Sequence, residues 1–468
     1  MRGRAILGMV VLASVLAACG GGSGGGRAAG PTSGSAASDC PLGALTSAKK
    51  PVDITYWHAM PRANEAELKK LTDRFNAQQK DVHVTLSAAA TYPDNYTRFK
   101  AGLATGALPD LVQSEDATTQ AMIDSGAVLP AASCLAADHA TTSDFITRVV
   151  AYYSVKGVLW PMPFNDSNPV LYYNRRAFEK AGLDPNKPPV TLQELKAASQ
   201  QIVQRGGAPF GLALKTDSWY FEHWLAKAGH TLVDNENGRV ARATKVTFDD
   251  PTGLGLFQWI DDMVTSKLAL STGTSDLDHY LAVANGRAAM TIDTSAALGT
   301  IAQLLGAGQY KNVQLGVGKM PGPTSPDGGL LVGGAANYIL KRSSPEKQAA
   351  AYEFAKYLAS PGAQSEWAAA TGYVPVSKSA AAIAPLAAWY VQHPEYKIAY
   401  DQLLSGAENA ATAGAVIGAY GAKGEGVRGA IIDGIARVID HRSTPQQSLS
   451  TAATQADAAI AEYNSRVG

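Results

Sequence analysis

The side chains best able to do chemistry in this 468-residue chain fall in a few short stretches. Gly424-Glu425-Gly426-Val427-Arg428-Gly429 places flexible glycines before a predicted helix from Ala430 to Ile439. Backbone N–H groups exposed there, with the planar guanidinium of Arg428 beside them, are the chemistry of an anion site. A solvated interhelical loop fits the same residues equally well. The pattern matches G-x-G-x-x-G, but a dinucleotide fold needs it after an early strand, with an acid well downstream, and only about 40 residues follow. Gln113-Ser114-Glu115-Asp116 ends a predicted strand at Leu108–Val112, where parallel sheets place ligands. Position alone favours Asp116 as the cap of a helix beginning near Ala117. Trp219 stands at a strand-to-helix junction as core packing, the usual outcome for tryptophan, as a platform for a sugar face or as a wall for a quaternary ammonium. Thr294 and Ser295 put hydroxyls at the end of a small apolar strand. The chain has no G-x-S-x-G, no His-Glu-x-x-His and no Cys-x-x-Cys, and its eight histidines are scattered. Hydrolysis, a metal centre and a cofactor therefore have no positive support.

The element that must position such residues is Pro163-Phe164-Asn165-Asp166-Ser167-Asn168-Pro169-Val170-Leu171-Tyr172-Tyr173-Asn174. Two prolines disfavour helix around a polar turn, and the apolar run after it favours an extended chain. The stretch reads as a crossing point between lobes that carries ligand contacts. A short helix from Arg175 to Ala181 then ends at Gly182. Upstream, Pro51–Trp57 alternates as a strand, Asn64 and Glu67 suggest a capped helix with Leu68, Leu71 and Phe75 on one face, and Val82, Val84 and Leu86 alternate again. Strand, helix, strand in that order implies a parallel pair with a right-handed crossover, and so an α/β lobe. Further strands are predicted at 210–214, 288–292, 313–320 and 330–340, and Ser344-Pro345-Glu346 opens a mostly helical remainder.

Length beyond what one core usually serves points to two lobes. Lys and Arg total 40 against 40 Asp and Glu, and no long run of one sign appears, which argues against a nucleic-acid-binding stripe and favours a small, specifically bound partner. At the amino terminus Arg2 and Arg4 precede an apolar run too short to span a bilayer, and Leu16-Ala17-Ala18-Cys19 follows. This resembles a bacterial lipoprotein signal, which implies a diacylglyceryl anchor on Cys19 and attachment outside the cell membrane. A Gly-, Ser- and Ala-rich tether follows it. Cys40 and Cys134 remain as an even pair in an exported chain, and a Cys40–Cys134 disulfide is expected.

Several segments together carry a broader resemblance: Tyr56-Trp57-His58-Ala59-Met60, Arg74-Phe75-Asn76-Ala77, all of Pro163–Pro189, Ala289-Met290-Thr291, Gly333-Gly334-Ala335, Thr371-Gly372-Tyr373-Val374-Pro375-Val376 and Thr444-Pro445-Gln446-Gln447. The chain resembles the extracytoplasmic solute-binding proteins of ABC importers, most closely the glycerol-3-phosphate and glycerophosphodiester-binding branch. The resemblance implies an α/β, two-lobed periplasmic-binding-protein fold of type II with discontinuous lobes and a hinge. The expected division is signal peptide 1–18, tether 19–46, lobe 1 at 47–161 with 312–342, and lobe 2 at 162–311 with 343–468. It also implies ligand contacts from Tyr96, Asp116, Ser167, Trp219, Thr294, Gly334, Tyr373 and Arg428. Three departures stand out: Asp116 where some members have Glu, Asp166 in place of the first of two serines, and the non-aromatic Thr216 where a second aromatic wall is expected. By the same resemblance the protein is a monomeric, lipid-anchored, non-enzymatic binder of glycerophosphocholine-like diesters or glycerol-3-phosphate, serving the membrane subunits of a permease. An oligosaccharide binder and a membrane-anchored glycerophosphodiesterase are the alternatives. Arg428→Ala is expected to remove binding with little effect on the thermal midpoint.

Overall fold

The computed structural model describes residues 40–324, 328–421 and 424–467. The expected signal peptide, the lipidated Cys19 and the tether as far as residue 39 lie outside the described residues.

In the first sheet, Val52–His58 pairs in parallel with Val82–Ala88 and with Leu111–Glu115. The alternation read from the sequence decides this: Val82 and Val84 are buried while His83 and Thr85 are exposed. The crossover helix Arg62–Gln78 buries Leu68, Leu71, Thr72 and Phe75 on one face. It begins earlier than expected, because Pro61 occupies the cap position; Asn64 is a buried residue of the first turn, not the cap, and donates to the Ala296 carbonyl. Gly333–Leu340 then runs antiparallel beside Leu111–Glu115, with Ala335 opposite Glu115.

The second sheet has the order Ala269–Ser271, Phe210–Leu214, Ala288–Thr294, Pro169–Asn174, Leu315–Lys319. The 163–174 stretch joins the two sheets. Its polar residues are not a turn but a strand, Met162–Ser167, paired with Gly333–Leu340, while Pro169–Asn174 enters the second sheet. Asn168 is the single residue between them, and its amide is held by the Ala399 carbonyl and by Gln402.

The cores follow the sheets. One cluster gathers Ile54, Tyr56, Leu71, Phe164, Phe354 and Trp367, and another gathers Leu171, Phe178, Leu212, Phe221, Phe257 and Ile431. Two elements fall on other sides of the expected lobe limits. Leu315–Lys319 pairs with Pro169–Asn174 in the second sheet, where Gly316 leaves room for the Tyr173 ring, which a Cβ would approach to 2.2 Å. Pro345–Leu358 lies on the first sheet, with Phe354 edge-on to Tyr56 at 5.8 Å between centroids. Cys40 and Cys134 form the expected disulfide, Cα atoms 4.9 Å apart, tying the chain before the first strand to the helix Ala131–Ala137. Among the described residues no helix is long and apolar enough to cross a membrane.

Candidate ligand-binding site

Arg428 is the centre of the site, but not in the setting its sequence suggests. The helix Gly426–Ile439 begins where Gly426, at φ +59°, lets residues 419–421 pass close by; a Cβ there would lie 2.2 Å from the Ala419 carbonyl oxygen. The first N–H groups are therefore occupied: Val427 donates to Ala419, Arg428 to Tyr420 and Gly429 to Glu425. The expected backbone anion nest is filled by the chain's own carbonyls.

The side chain of Arg428 is 5% exposed. Its Nε and Nη2 donate to the two carboxylate oxygens of Glu222 at 2.9 and 3.0 Å, its Nη1 donates to Glu115 at 3.0 Å, and Asp116 lies 3.7 Å from Nη2. The Tyr420 ring lies 4.8 Å beneath the guanidinium, and its hydroxyl donates to Glu222 at 3.0 Å. Tyr152 donates to Asp116 at 2.9 Å. Burial pushes Asp116 up to about 7, with Arg428 pulling it down and Glu115 and Glu222 adding to the rise. Glu115 is raised by burial in the same way. Burial works against the charge on Arg428, and the carboxylates outweigh it.

A second half of the site lies against this cluster. Trp219, in the first turn of the helix Ser218–Lys227, has its backbone N–H capped by Asp217 at 3.1 Å. Its ring covers Gly333, where a Cβ would come within 2.8 Å of both the indole and the Ser167 carbonyl oxygen. Gly334 has φ +90°, and a Cβ there would sit 2.0 Å from the Asn165 carbonyl oxygen, so glycine is required by the backbone. His223 joins the halves. It meets Trp219 edge to face at 4.7 Å, is fully buried with neither ring nitrogen hydrogen-bonded, and is held neutral first by burial and then by the charge of Arg428. Asp166, opposite Gly334, is 1% exposed, and neither oxygen has a partner in hydrogen-bond geometry. Burial raises it well above the carboxylate range; the Gly333 and Ser167 N–H groups and Arg148 offset this only in part, and Asp116 adds to it.

The structure thus brings Asp116 to Arg428, where it makes no capping bond, and brings Ser167, Gly334 and Trp219 together around Gly333. Tyr373, its ring stacked on Trp367 at 5.3 Å, reaches them through the Tyr92 hydroxyl at 3.2 Å, which also accepts from Asn165 at 2.8 Å. Thr294 lies opposite Pro169 at the second-sheet end of the crossing, its hydroxyl capping Ala296. Tyr96 stays apart from this network. It stacks on Phe99 at 6.3 Å with Lys100 5.1 Å over its ring, and burial pushes its phenol up to about 12. Tyr92, one helical turn earlier, holds the hydroxyl contacts instead. Glu115, part of the acidic strand end singled out in the sequence, joins the cluster, and Glu222, Tyr152 and Tyr420 are further members that no motif pointed to. A surface groove of about 480 Å³ between the crossover helix and the Val82–Ala88 strand, lined by His58, Glu65, Lys69 and Asp73, contains none of the expected ligand residues.

Residues 70–398 match the family of bacterial extracellular solute-binding proteins. The chain belongs to that family. This solute-binding protein is 29% identical over 437 residues to the sn-glycerol-3-phosphate-binding periplasmic protein UgpB of Pectobacterium atrosepticum, covering 91% of this chain and 96% of that one. It is also 29% identical over 420 residues to UgpB of Escherichia coli, covering 88% and 93%. UgpB from Mycobacterium tuberculosis, solved in complex with glycerophosphocholine, has a TM-score of 0.74 at 20% identity, over 88% of this chain and 99% of that one. The GacH receptor of Streptomyces glaucescens, solved unliganded and with acarbose, gives 0.71 at 22% identity, over 88% and 98%. The solute-binding protein therefore has the two-lobed periplasmic-binding-protein fold, and its family is one of transport proteins.

Proposed function

We propose that this solute-binding protein captures glycerophosphodiesters of the glycerophosphocholine type, or glycerol-3-phosphate, and delivers them to the membrane subunits of an ABC permease while anchored outside the cell membrane through Cys19. One observation carries the ligand reading: Arg428 is fixed by Glu222 through Nε and Nη2, and its Nη1 reaches across to Glu115 at the end of a first-sheet strand. A ligand phosphate replaces the Glu115 carboxylate on Nη1. Ser167 and the Gly333–Gly334 backbone flank it, and Trp219 offers an apolar face to the glycerol or to a cationic head group. The lobes divide at Asn168, and ligand contacts from both sides stabilise the closed form. The names of the UgpB relatives support this reading.

A second reading, an oligosaccharide ligand, is favoured by the excess of carboxylates over arginine in the cluster. Carboxylates accept from sugar hydroxyls, and Trp219 suits a pyranose face. Thermal unfolding with added ligand separates the two, because a ligand at 100 times its Kd stabilises by about 2.7 kcal/mol. Glycerophosphocholine or glycerol-3-phosphate is expected to raise the midpoint. A rise with maltose or trehalose and with neither phosphate compound would replace the first reading by the second.

A further inference from the structure

Glu222 gives the cleft a property that the sequence motifs do not announce. It is 2% exposed and lies three residues after Trp219, on the same face of the helix Ser218–Lys227. Its two oxygens take the Nε and Nη2 of Arg428, one of the two edges through which a guanidinium forms a bidentate pair with a carboxylate or a phosphate. Tyr420 braces the arrangement by donating to Glu222 at 3.0 Å. What the arginine can offer a ligand is Nη1, in exchange for Glu115, and its positive charge is already balanced from within the protein.

Among the described residues, the surroundings add no second free cation. Arg148 donates to the carbonyls of Leu330, Gly406 and Ala407 and lies beside Glu408, while Lys227 reaches the Gly328 carbonyl. His223 is neutral. Glu115 and Asp116 bring two further carboxyl groups to the same guanidinium. A phosphate monoester carries a charge of about −1.5 to −2 near neutral pH. A diester carries one charge on two terminal oxygens, and in a choline ester a cation balances it.

We propose that Glu222 is the specificity-determining residue of this cleft: by occupying the Nε/Nη2 edge of Arg428 and balancing its charge, it selects phosphate diesters and rejects doubly charged monoesters. The selection works by an unfavourable term, since a dianion placed against Glu222, Glu115 and Asp116 meets like charge with no cation to spare among the described residues. The inference rests on the reading that a ligand phosphate meets Nη1 of Arg428.

The test uses the full chain and calorimetric titration with glycerophosphocholine and with glycerol-3-phosphate in one buffer. The wild type is expected to favour the diester by about tenfold or more, the equivalent of 1.4 kcal/mol. Glu222→Gln keeps the shape and an acceptor for Tyr420 but removes the charge, and is expected to tighten glycerol-3-phosphate about tenfold while changing the diester less. Glu222→Asp, which keeps the charge, is expected to retain the wild-type preference. The wild-type ratio is itself a test that needs no variant to fold. A wild type that binds the monoester as tightly as the diester, or a ratio unmoved in Glu222→Gln, overturns the role of Glu222 and leaves the phosphate reading standing. A wild type that binds neither compound removes both.

Discussion

At the scale of single residues, burial raises the acids of the cleft, while the charge of Arg428 is held by the carboxylates around it. Arg428 bridges Glu222 and Glu115 and lies near Asp116, so Arg428→Ala leaves buried carboxylates without their cation. Loss of one partner from a buried pair costs about 3–5 kcal/mol, so the thermal midpoint is expected to fall clearly in a calorimetric scan. The near-neutral effect expected from the sequence does not follow from this structure, and an unchanged midpoint would show the bridge to be energetically idle. Asp166 gives a pH-dependent prediction. Its carboxyl is raised well above its ordinary value in the folded protein, so the native state holds a proton that the unfolded chain releases above about pH 3.9. Its contribution to stability is therefore greatest in acid and declines as pH rises. Asp166→Asn removes that titration, and the midpoint is expected to fall less between about pH 5 and about pH 8 than in the wild type. An identical decline in both proteins would place the pH dependence elsewhere.

At the scale of elements, the crossing between sheets is the part most legible in the sequence. Prolines at 163 and 169 rule out a helix and the apolar run after them marks a strand, although the polar residues between them read as a turn and pair as a strand only through the distant Gly333–Leu340; the strand–helix–strand order of the first sheet follows from its periodicities. What the sequence withholds is pairing across distance. Glu222 and Arg428 are 206 residues apart, so no spacing announces their bond. Tyr92 and Tyr96 are four residues apart on one helix, so both share a face, and the choice between them is made by Asn165 and Tyr373 from remote segments. The glycine turn before Arg428 misleads for a related reason: its N–H groups meet carbonyls of an irregular segment that has no period to read. Gly334 belongs to this scale too. With φ +90° and the Asn165 carbonyl in its path, Gly334→Ala is expected to lose about 1–3 kcal/mol in denaturant unfolding and to weaken ligand binding with it. Full stability in that variant would mean that the strand pair yields more easily than its packing suggests.

At the scale of the whole fold, segments between strands of the first sheet touch segments beyond strands of the second through contacts that need no ligand. Asp124 pairs with both Nη atoms of Arg242 at 2.8 and 3.0 Å and accepts from Tyr463 at 2.9 Å. Arg239 donates to the carbonyls of Tyr152 and Gly414 at 3.1 and 2.8 Å. Under the lobe-closure mechanism proposed above, these contacts bias the balance between open and closed forms before any ligand arrives, and the apparent affinity scales with the closed fraction. Asp124→Asn is expected to enlarge the ligand-free protein in small-angle scattering, to leave the saturated form unchanged, and to weaken binding a few-fold at most. Equal scattering of both ligand-free proteins would mean that Asp124 does not hold the walls together. The central claim, that a ligand phosphate displaces Glu115 from Arg428, is tested most directly by titrating glycerophosphocholine into the full chain on either side of the Asp116 transition at about 7. Protonation of Asp116 removes one of the carboxylates that compete with a ligand anion for the arginine, so binding is predicted to be tighter at about pH 6 than at about pH 8. Tighter binding at the higher pH would show that the acids hold a cationic head group instead, and that result, or no heat at either pH, would contradict the account.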